Sequence, residues 1–192
     1  CENRCAYCII PAARGRVRPK PPGEVLAEAG RLPAAGCREL VLTGIETASY
    51  GRDLNGCTLA DLLCRIDRIP GVGRVRLGSL DPSLLRPDFV GRIAALGSLA
   101  PHFHLSMQSG SDGVLARMRR KYNTRMALDG IARLRAAIPD VQLTADMIVG
   151  FPQETEEEFD QTLRFAEAVG FLNIHIFPYS ERAGTTAASM PG

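Results

Sequence analysis

No stretch of this sequence is apolar for long enough to cross a membrane as a helix, and nothing in it resembles a signal peptide. A membrane partner is therefore not expected. A strong excess of charge is missing too. Lysine and arginine number 23 against 21 for aspartate and glutamate, a formal net charge of +2. Overall charge thus argues neither for nor against nucleic acid. Cysteine is scarce, at six residues, and none lies between Cys8 and Cys37. Cys37, Cys57 and Cys64 have no metal-ligand spacing, and they read as the reduced thiols of a cytoplasmic protein. An initiating methionine is also missing, and the chain is expected to be a fragment of a longer protein. What remains is ordinary for a soluble globular protein: 45% hydrophobic and 23% charged residues. A length of 192 residues suits one domain, 1–192, with a proper hydrophobic core.

The exception to the scarcity is the start, Cys1-Glu2-Asn3-Arg4-Cys5-Ala6-Tyr7-Cys8. Three thiolates at C-x3-C-x2-C spacing on one short loop can converge on a single metal centre. They cannot close it, because tetrahedral zinc and a fully ligated iron–sulfur cluster each want four protein ligands. A centre one ligand short keeps an open position, and open positions are where chemistry happens. A structural zinc knuckle, or three unconnected thiols, is the competing reading. The spacing and the missing fourth ligand resemble the radical S-adenosylmethionine (SAM) enzymes. That resemblance implies a 4Fe–4S cluster on Cys1, Cys5 and Cys8, with SAM chelating the fourth iron through its amino and carboxylate groups.

Local charge is more informative than the total. Arg14, Arg16, Arg18 and Lys20 follow the cysteine loop, with no acidic residue between Glu2 and Glu24. A second cluster holds Arg117, Arg119, Arg120, Lys121 and Arg125. Two such patches can supply sequence-independent phosphate contacts to RNA, and they can equally be solvated surface.

Taken in order, the chain alternates helix and strand. Pro22 starts a helix with Val25, Leu26, Ala29 and Leu32 on one face, ending near Gly36. Glu39 to Thr43 reads as a strand, and Thr58 caps a helix with Leu59, Leu62, Leu63 and Ile66. Arg74 to Leu80 is the next strand, followed by a helix from Pro87 carrying Phe89, Val90, Ile93 and Leu96. His102 to Met107 alternates polar and apolar, a strand of period two. Short helices are expected from Ser111 and from Thr124, and a strand over Gln142 to Val149. Thr155 and Glu158 form a capping box for a helix bearing Phe159, Leu163 and Ala166, before a last strand from Leu172 to Phe177.

Strands joined by crossover-length helices indicate an α/β fold with a parallel sheet. Right-handed crossovers curl such a sheet toward a barrel, here a partial (β/α)6 TIM-like barrel whose first strand is expected before Cys1. Functional groups then belong at the carboxyl ends of the strands. Thr43-Gly44, Ser79-Leu80-Asp81-Pro82, Gln108-Ser109-Gly110, Gly150-Phe151-Pro152 and Pro178-Tyr179-Ser180 all fall there. Each is also ordinary turn chemistry. Five on one rim favour a ligand site. Parity points the same way. His102, His104, Ser106 and Gln108 share a strand face, as do Thr144, Asp146 and Ile148, and Asn173, His175 and Phe177. If the apolar parity packs on the helices, this polar parity lines the barrel interior; the alternative is a set of hydrogen-bonded core groups.

The whole chain resembles the radical SAM domain of the methylthiotransferases. The resemblance rests on Cys5-Ala6-Tyr7-Cys8-Ile9-Ile10-Pro11 with Ala13-Arg14-Gly15, and on Leu42-Thr43-Gly44-Ile45 followed by Tyr50-Gly51. It continues in His104 to Ser111, in Val149-Gly150-Phe151-Pro152 with Glu154-Thr155, and in Phe177 to Arg182 with Gly184-Thr185. The branch most similar is the one that methylthiolates threonylcarbamoyladenosine beside the tRNA anticodon. Tyr50 to Asp53, His102-Phe103-His104 and Ile174 to Pro178 favour it. Branches acting on isopentenyladenosine in tRNA, or on an aspartate of a ribosomal protein, are the alternatives. Ala12, Gly78, Gln153 and Thr186 stand where the family pattern has tyrosine, serine, glycine and proline. The family's amino-terminal domain, with its second three-cysteine cluster, and its carboxyl-terminal RNA-binding barrel have no counterpart in this sequence.

The resemblance implies a mechanism. A cluster on Cys1, Cys5 and Cys8, fed by an external electron donor, splits SAM to a deoxyadenosyl radical that takes a hydrogen from the adenine of a tRNA substrate. By the same resemblance Tyr7 lies against the adenine of SAM, and Thr43 with Gly44 meets its methionyl amino group. Ser79 or Asp81, with Gln108, serves its ribose or carboxylate, and Gly150 allows close backbone contact. Arg14, Arg16, Arg18 and Lys20 are the candidate RNA contacts. The opposing class is a passive 4Fe–4S electron-transfer or structural module, which needs neither an open iron nor polar groups gathered on one rim.

Overall fold

The computed structural model describes residues 1–52, 54 and 56–191. Asp53, part of the Tyr50–Asp53 stretch, lies outside the described residues. Among the described residues, five strands run parallel. β1 (Glu39–Leu42) pairs with β2 (Arg74–Leu77), and β3 (His102–Gln108), β4 (Gln142–Val149) and β5 (Asn173–Pro178) form a second group in the order β3-β4-β5. Two parallel bridges, Val75 with Leu99 and Leu80 with Leu105, link the groups. The Leu80 amide donates to the His104 carbonyl at 2.8 Å, and the Ser106 amide returns to the Leu80 carbonyl at 2.9 Å. The result is an open parallel arc rather than a closed barrel, with β1 and β5 at its edges.

Helices fill the connections: α1 (Ile10–Arg14), α2 (Pro22–Arg31), α3 (Leu59–Ile66) and α4 (Pro87–Ile93), then α5 (Asp112–Arg117), α6 (Thr124–Ala137) and α7 (Glu156–Val169). They pack on the apolar parity of the strands. Phe103, Leu105 and Met107 of β3 are fully buried, while His102, His104, Ser106 and Gln108 between them are half-exposed. Leu63, Ile66, Leu134 and Leu143 complete the centre of this core. Burying a side chain of this size contributes about 1.5–3 kcal/mol.

The differences from the sequence reading are local. α1 forms inside the expected basic loop because Pro11 sits in its first turn, where a missing N–H costs nothing. α2 stops at Arg31; Pro33 starts a short 3-10 turn that ends on Gly36 at φ 89°. β2 ends at Leu77 and the chain leaves the ladder through Gly78, where an added Cβ would meet the Thr43 hydroxyl at 3.2 Å. α6 has 14 residues and is capped by the Asn123 side chain, which accepts from the Met126 amide. α7 turns Thr162, Phe165 and Val169 to the core with Ala166 packed beside them and leaves Leu163 exposed, so its buried stripe is displaced from the expected face at Leu163. The displacement follows from Gly110, which lets the chain after β3 lie directly on Thr162 and Phe165.

Candidate active site

The cysteine loop is built into the scaffold by Ala6. Its amide donates to the Met118 carbonyl at 3.0 Å, and its carbonyl accepts from the Ala187 amide at 2.8 Å. Ala6, Val114, Met118, Phe151 and Ala187 form a small apolar cluster separate from the main core. Tyr7 packs on it edge-to-face with Phe151 at 6.3 Å, and Phe151 does the same with Tyr179 at 5.5 Å. A turn closed by the Cys8 amide on the Cys5 carbonyl then sets the spacing of the last two thiols.

All three thiols of the loop are half-buried and free of disulfides. Cys1 donates to the Glu46 carboxylate at 3.2 Å, and Asn3 donates to the other oxygen of Glu46 at 2.7 Å. The Cys5 sulfur accepts from the Arg120 guanidinium at 3.2 Å. Arg120 is the centre of the site. Its side chain is only 7% exposed and ion-pairs with buried Asp81 at 2.9 Å. It also donates to the Ser106 carbonyl at 3.0 Å and reaches the Tyr122 and Tyr7 hydroxyls at 3.1 and 3.5 Å. The turn that aims it inward is the end of α5. The Arg119 and Arg120 amides return to the carbonyls of Ala116 and Leu115, with Arg119 left-handed at φ 58°, the pattern of a Schellman helix end.

The electrostatics follow from burial. It pushes the Tyr7 and Tyr122 phenols well above their usual range, against the pull of Arg120. Burial alone would lower Arg120, but Tyr122, Tyr7, Cys5 and Asp81 outweigh it and hold the guanidinium protonated. A fixed positive charge beside a sulfur suits a ligand that carries negative charge. Three sulfur donors with no fourth cysteine fit a cluster with one open iron and leave a cysteine-only zinc site incomplete.

The other residues singled out in the sequence divide into groups. Thr43 and Gly44, exposed after β1, line a groove of about 630 Å³ with Cys1, Glu46, Arg14, Arg16, Arg18 and Lys20. Tyr7 and Gln108 line a second cavity of about 260 Å³ with Asp146, Tyr179 and Arg182. Gln108 reaches it through an irregularity at the end of β3, which shifts the register after Leu105 and leaves Gln108 at φ 66°. The Tyr179 hydroxyl is buried with no partner among the described residues, as a group awaiting a ligand would be. Ser79 and Gly150 line neither cavity. Ser79 offers its carbonyl to the Thr47 hydroxyl, and Gly150 sits at φ 69° with open space where a Cβ would be. Asp81 is joined to Cys5 and Tyr7 through Arg120.

The two basic patches part company. Arg14, Arg16 and Arg18 are exposed and make no ion pair among the described residues, while Lys20 pairs with Glu28. In the second patch Arg117 is paired with Glu158 and Arg120 is buried, so that patch is not a uniform phosphate surface. Arg120 and Glu46 are the site residues that sequence reasoning did not identify. Five cations within nine positions look alike, and nothing local marks the one that turns inward.

Residues 1–166 match the Radical SAM superfamily. The chain belongs to that superfamily. Among curated proteins, this radical SAM chain is 44% identical over 191 residues to the threonylcarbamoyladenosine tRNA methylthiotransferase MtaB of Bacillus subtilis (strain 168). It is 46% identical over 191 residues to the tRNA-2-methylthio-N(6)-dimethylallyladenosine synthase of Desulfitobacterium hafniense (strain Y51). Both matches take in 99% of the chain but only 42% and 43% of the relatives, so it spans less than half their length. Among solved structures, the radical SAM methyltransferase TsrM from Kitasatospora setae, with cobalamin and a 4Fe–4S cluster bound, superposes at a TM-score of 0.81. That match is 19% identical and covers 98% of this chain and 37% of TsrM. Methylornithine synthase (PylB) matches at 0.66 with 15% identity over 100% of this chain and 54% of its own. Both share the fold of the radical SAM chain described above.

Proposed function

We propose that residues 1–192 are the SAM-cleaving domain of a tRNA methylthiotransferase, with threonylcarbamoyladenosine beside the anticodon as the target. The observation that carries the reading is the three-thiol loop without a fourth cysteine, clamped through Ala6 beside a buried guanidinium. Cys1, Cys5 and Cys8 would hold a 4Fe–4S cluster, which with an external donor would supply the electron that splits SAM. The chain's own residues bind and orient. Arg120 holds the Cys5 sulfur in place and Asp81 holds Arg120, which commits that carboxylate and leaves Ser79 and Gln108 for polar groups of SAM. Tyr7 offers a ring fixed by Phe151 to the adenine, Thr43 and Gly44 the methionyl amino group's partners, and Gly150 an uncrowded backbone. Removing a hydrogen from an unreactive C–H bond depends on such placement and on excluding water more than on acid–base groups.

A tRNA substrate, and with it a cytoplasmic setting, is supported by the two methylthiotransferase relatives and by the exposed Arg14, Arg16 and Arg18 beside the cysteine loop. Lys20 contributes less, being paired with Glu28. Dimethylallyladenosine is the second reading, favoured by the 46% identity to the Desulfitobacterium enzyme.

The test is an electron paramagnetic resonance spectrum of the anaerobically reconstituted, reduced protein with and without SAM. SAM is expected to change the spectrum, because a ligand replaces solvent at the open iron. Single Cys1, Cys5 or Cys8→Ala changes are expected to strip the iron, and Cys37→Ala to leave it. An unchanged spectrum at full iron content overturns the reading in favour of a passive cluster module.

A further inference from the structure

The chain has three histidines, and all three lie in one side-chain network on the strand face opposite the helices. His104 Nε2 stands 3.0 Å from one oxygen of the Asp146 carboxylate, and His175 Nδ1 stands 3.2 Å from the other. The ligand atoms of these three residues all fall within 4.8 Å of one another. On its far side His104 Nδ1 meets the Thr144 hydroxyl at 2.8 Å, and that hydroxyl also meets His102 Nε2 at 3.2 Å.

We propose that His104, Asp146 and His175 form a binding site for a divalent first-row cation, with Zn²⁺ as the reference ion. Three arguments support it. The first is placement. The ligands come from three adjacent parallel strands, with Asp146 directly opposite His175 and Thr144 directly opposite His104, so the ladder fixes their spacing. Around one ion with bonds of about 2.0–2.2 Å, tetrahedral ligand atoms stand about 3.4 Å apart, inside the 4.8 Å that spans one ligand atom from each of the three residues.

The second argument is the support behind the ligands. A ligating imidazole normally has its other nitrogen hydrogen-bonded, which fixes the ring and its tautomer. Thr144, itself buried, does this for His104. The third is charge. Two imidazoles and a carboxylate make a donor set that favours a cation, whereas an anion would face Asp146. Among the described residues Asp146 has no lysine or arginine partner. Two histidines and one carboxylate leave positions open on the ion. Half-exposed Asp146 also lines the cavity shared by Tyr7 and Gln108, so those positions would take an oxygen donor entering there. The inference stands on side-chain geometry and does not depend on the SAM reading.

The experiment uses the protein with its cysteine loop closed to zinc, by the loaded cluster or, where none loads, by alkylation of the thiols with iodoacetamide. Zn²⁺ is added, the sample is desalted, and zinc and iron are measured together. One zinc per chain is expected at unchanged iron. His175→Ala, at an exposed position where folding is not at stake, is expected to lower zinc affinity at least tenfold. Thr144→Val is expected to cost about 10–100-fold, as loss of a ligand's outer partner does, and Cys37→Ala to change nothing. No retained zinc, or the same zinc in His175→Ala, overturns the proposal and reduces the cluster to a hydrogen-bonded network.

Discussion

Arg120 serves a sulfur, a carboxylate, a carbonyl and two phenols at once, and only a planar fork of donors can do that. Removing it leaves Asp81 charged and 8% exposed with no cation. Arg120→Met is therefore expected to destabilise the fold by about 3–5 kcal/mol, read by urea unfolding. Arg120→Lys separates charge from geometry, because an ammonium cannot span Cys5 and Asp81 together. With the cluster on Cys5 as proposed, hydrogen bonds to the sulfurs and local charge set its reduction potential. The Lys variant is expected to keep its iron but show a more negative midpoint in a redox titration; an identical midpoint would mean that the sulfur contact does not tune the cluster. The sequence made the thiols legible because their spacing is short-range. Arg120 was illegible because, Tyr122 apart, its partners lie 14 to 115 positions away, and its inward turn depends on Arg119 adopting a left-handed conformation usually left to glycine.

The elements were legible wherever their determinants are local. The Thr155–Glu158 capping box, read at a spacing of three, is formed, and the Thr58 cap is formed too, with Asp61 completing a second box beyond the cap that the sequence predicts. The period-two run over β3 likewise buries Phe103, Leu105 and Met107 as its alternation requires. The α7 face was misread because a helix with apolar residues on several sides takes its orientation from its neighbour, and the neighbour is Gly110. The same helix supplies a pH prediction. Glu158 caps α7 and pairs with Arg117 at 2.6 Å, and the Arg117 hydrogen bonds hold its carboxyl below the ordinary glutamate range. A carboxyl lowered on folding stabilises the native state above its unfolded value, and that contribution disappears as pH falls through 4.5 toward the folded value. Glu158→Gln is expected to cost about 1 kcal/mol at pH 7 and progressively less below pH 4.5 in thermal melts. An equal cost at pH 7 and pH 3 would assign the effect to packing.

At the scale of the molecule, the alternation of strand and helix made the parallel α/β arrangement legible, and it left the break between β2 and β3 unseen. That break is a matter of two bridges, which no periodicity encodes. The open arc leaves Ile176 of β5 64% exposed and Val41 of β1 56% exposed, so neither edge is sealed by the described residues. Ala6 ties together stretches that β1 to β5 hold apart. In folding terms, its contacts with Met118 and Ala187 join positions distant along the chain, and closing a loop of that length is unfavourable until the intervening segments are in place. The cysteine loop is therefore expected to order last, on a finished scaffold. Pulsed hydrogen exchange during refolding is expected to protect the Leu105 amide before the Ala6 amide; the reverse order would mean that the loop nucleates the fold. Iron would then enter a protein already folded, with the metal sealing the loop rather than organising the rest of the chain.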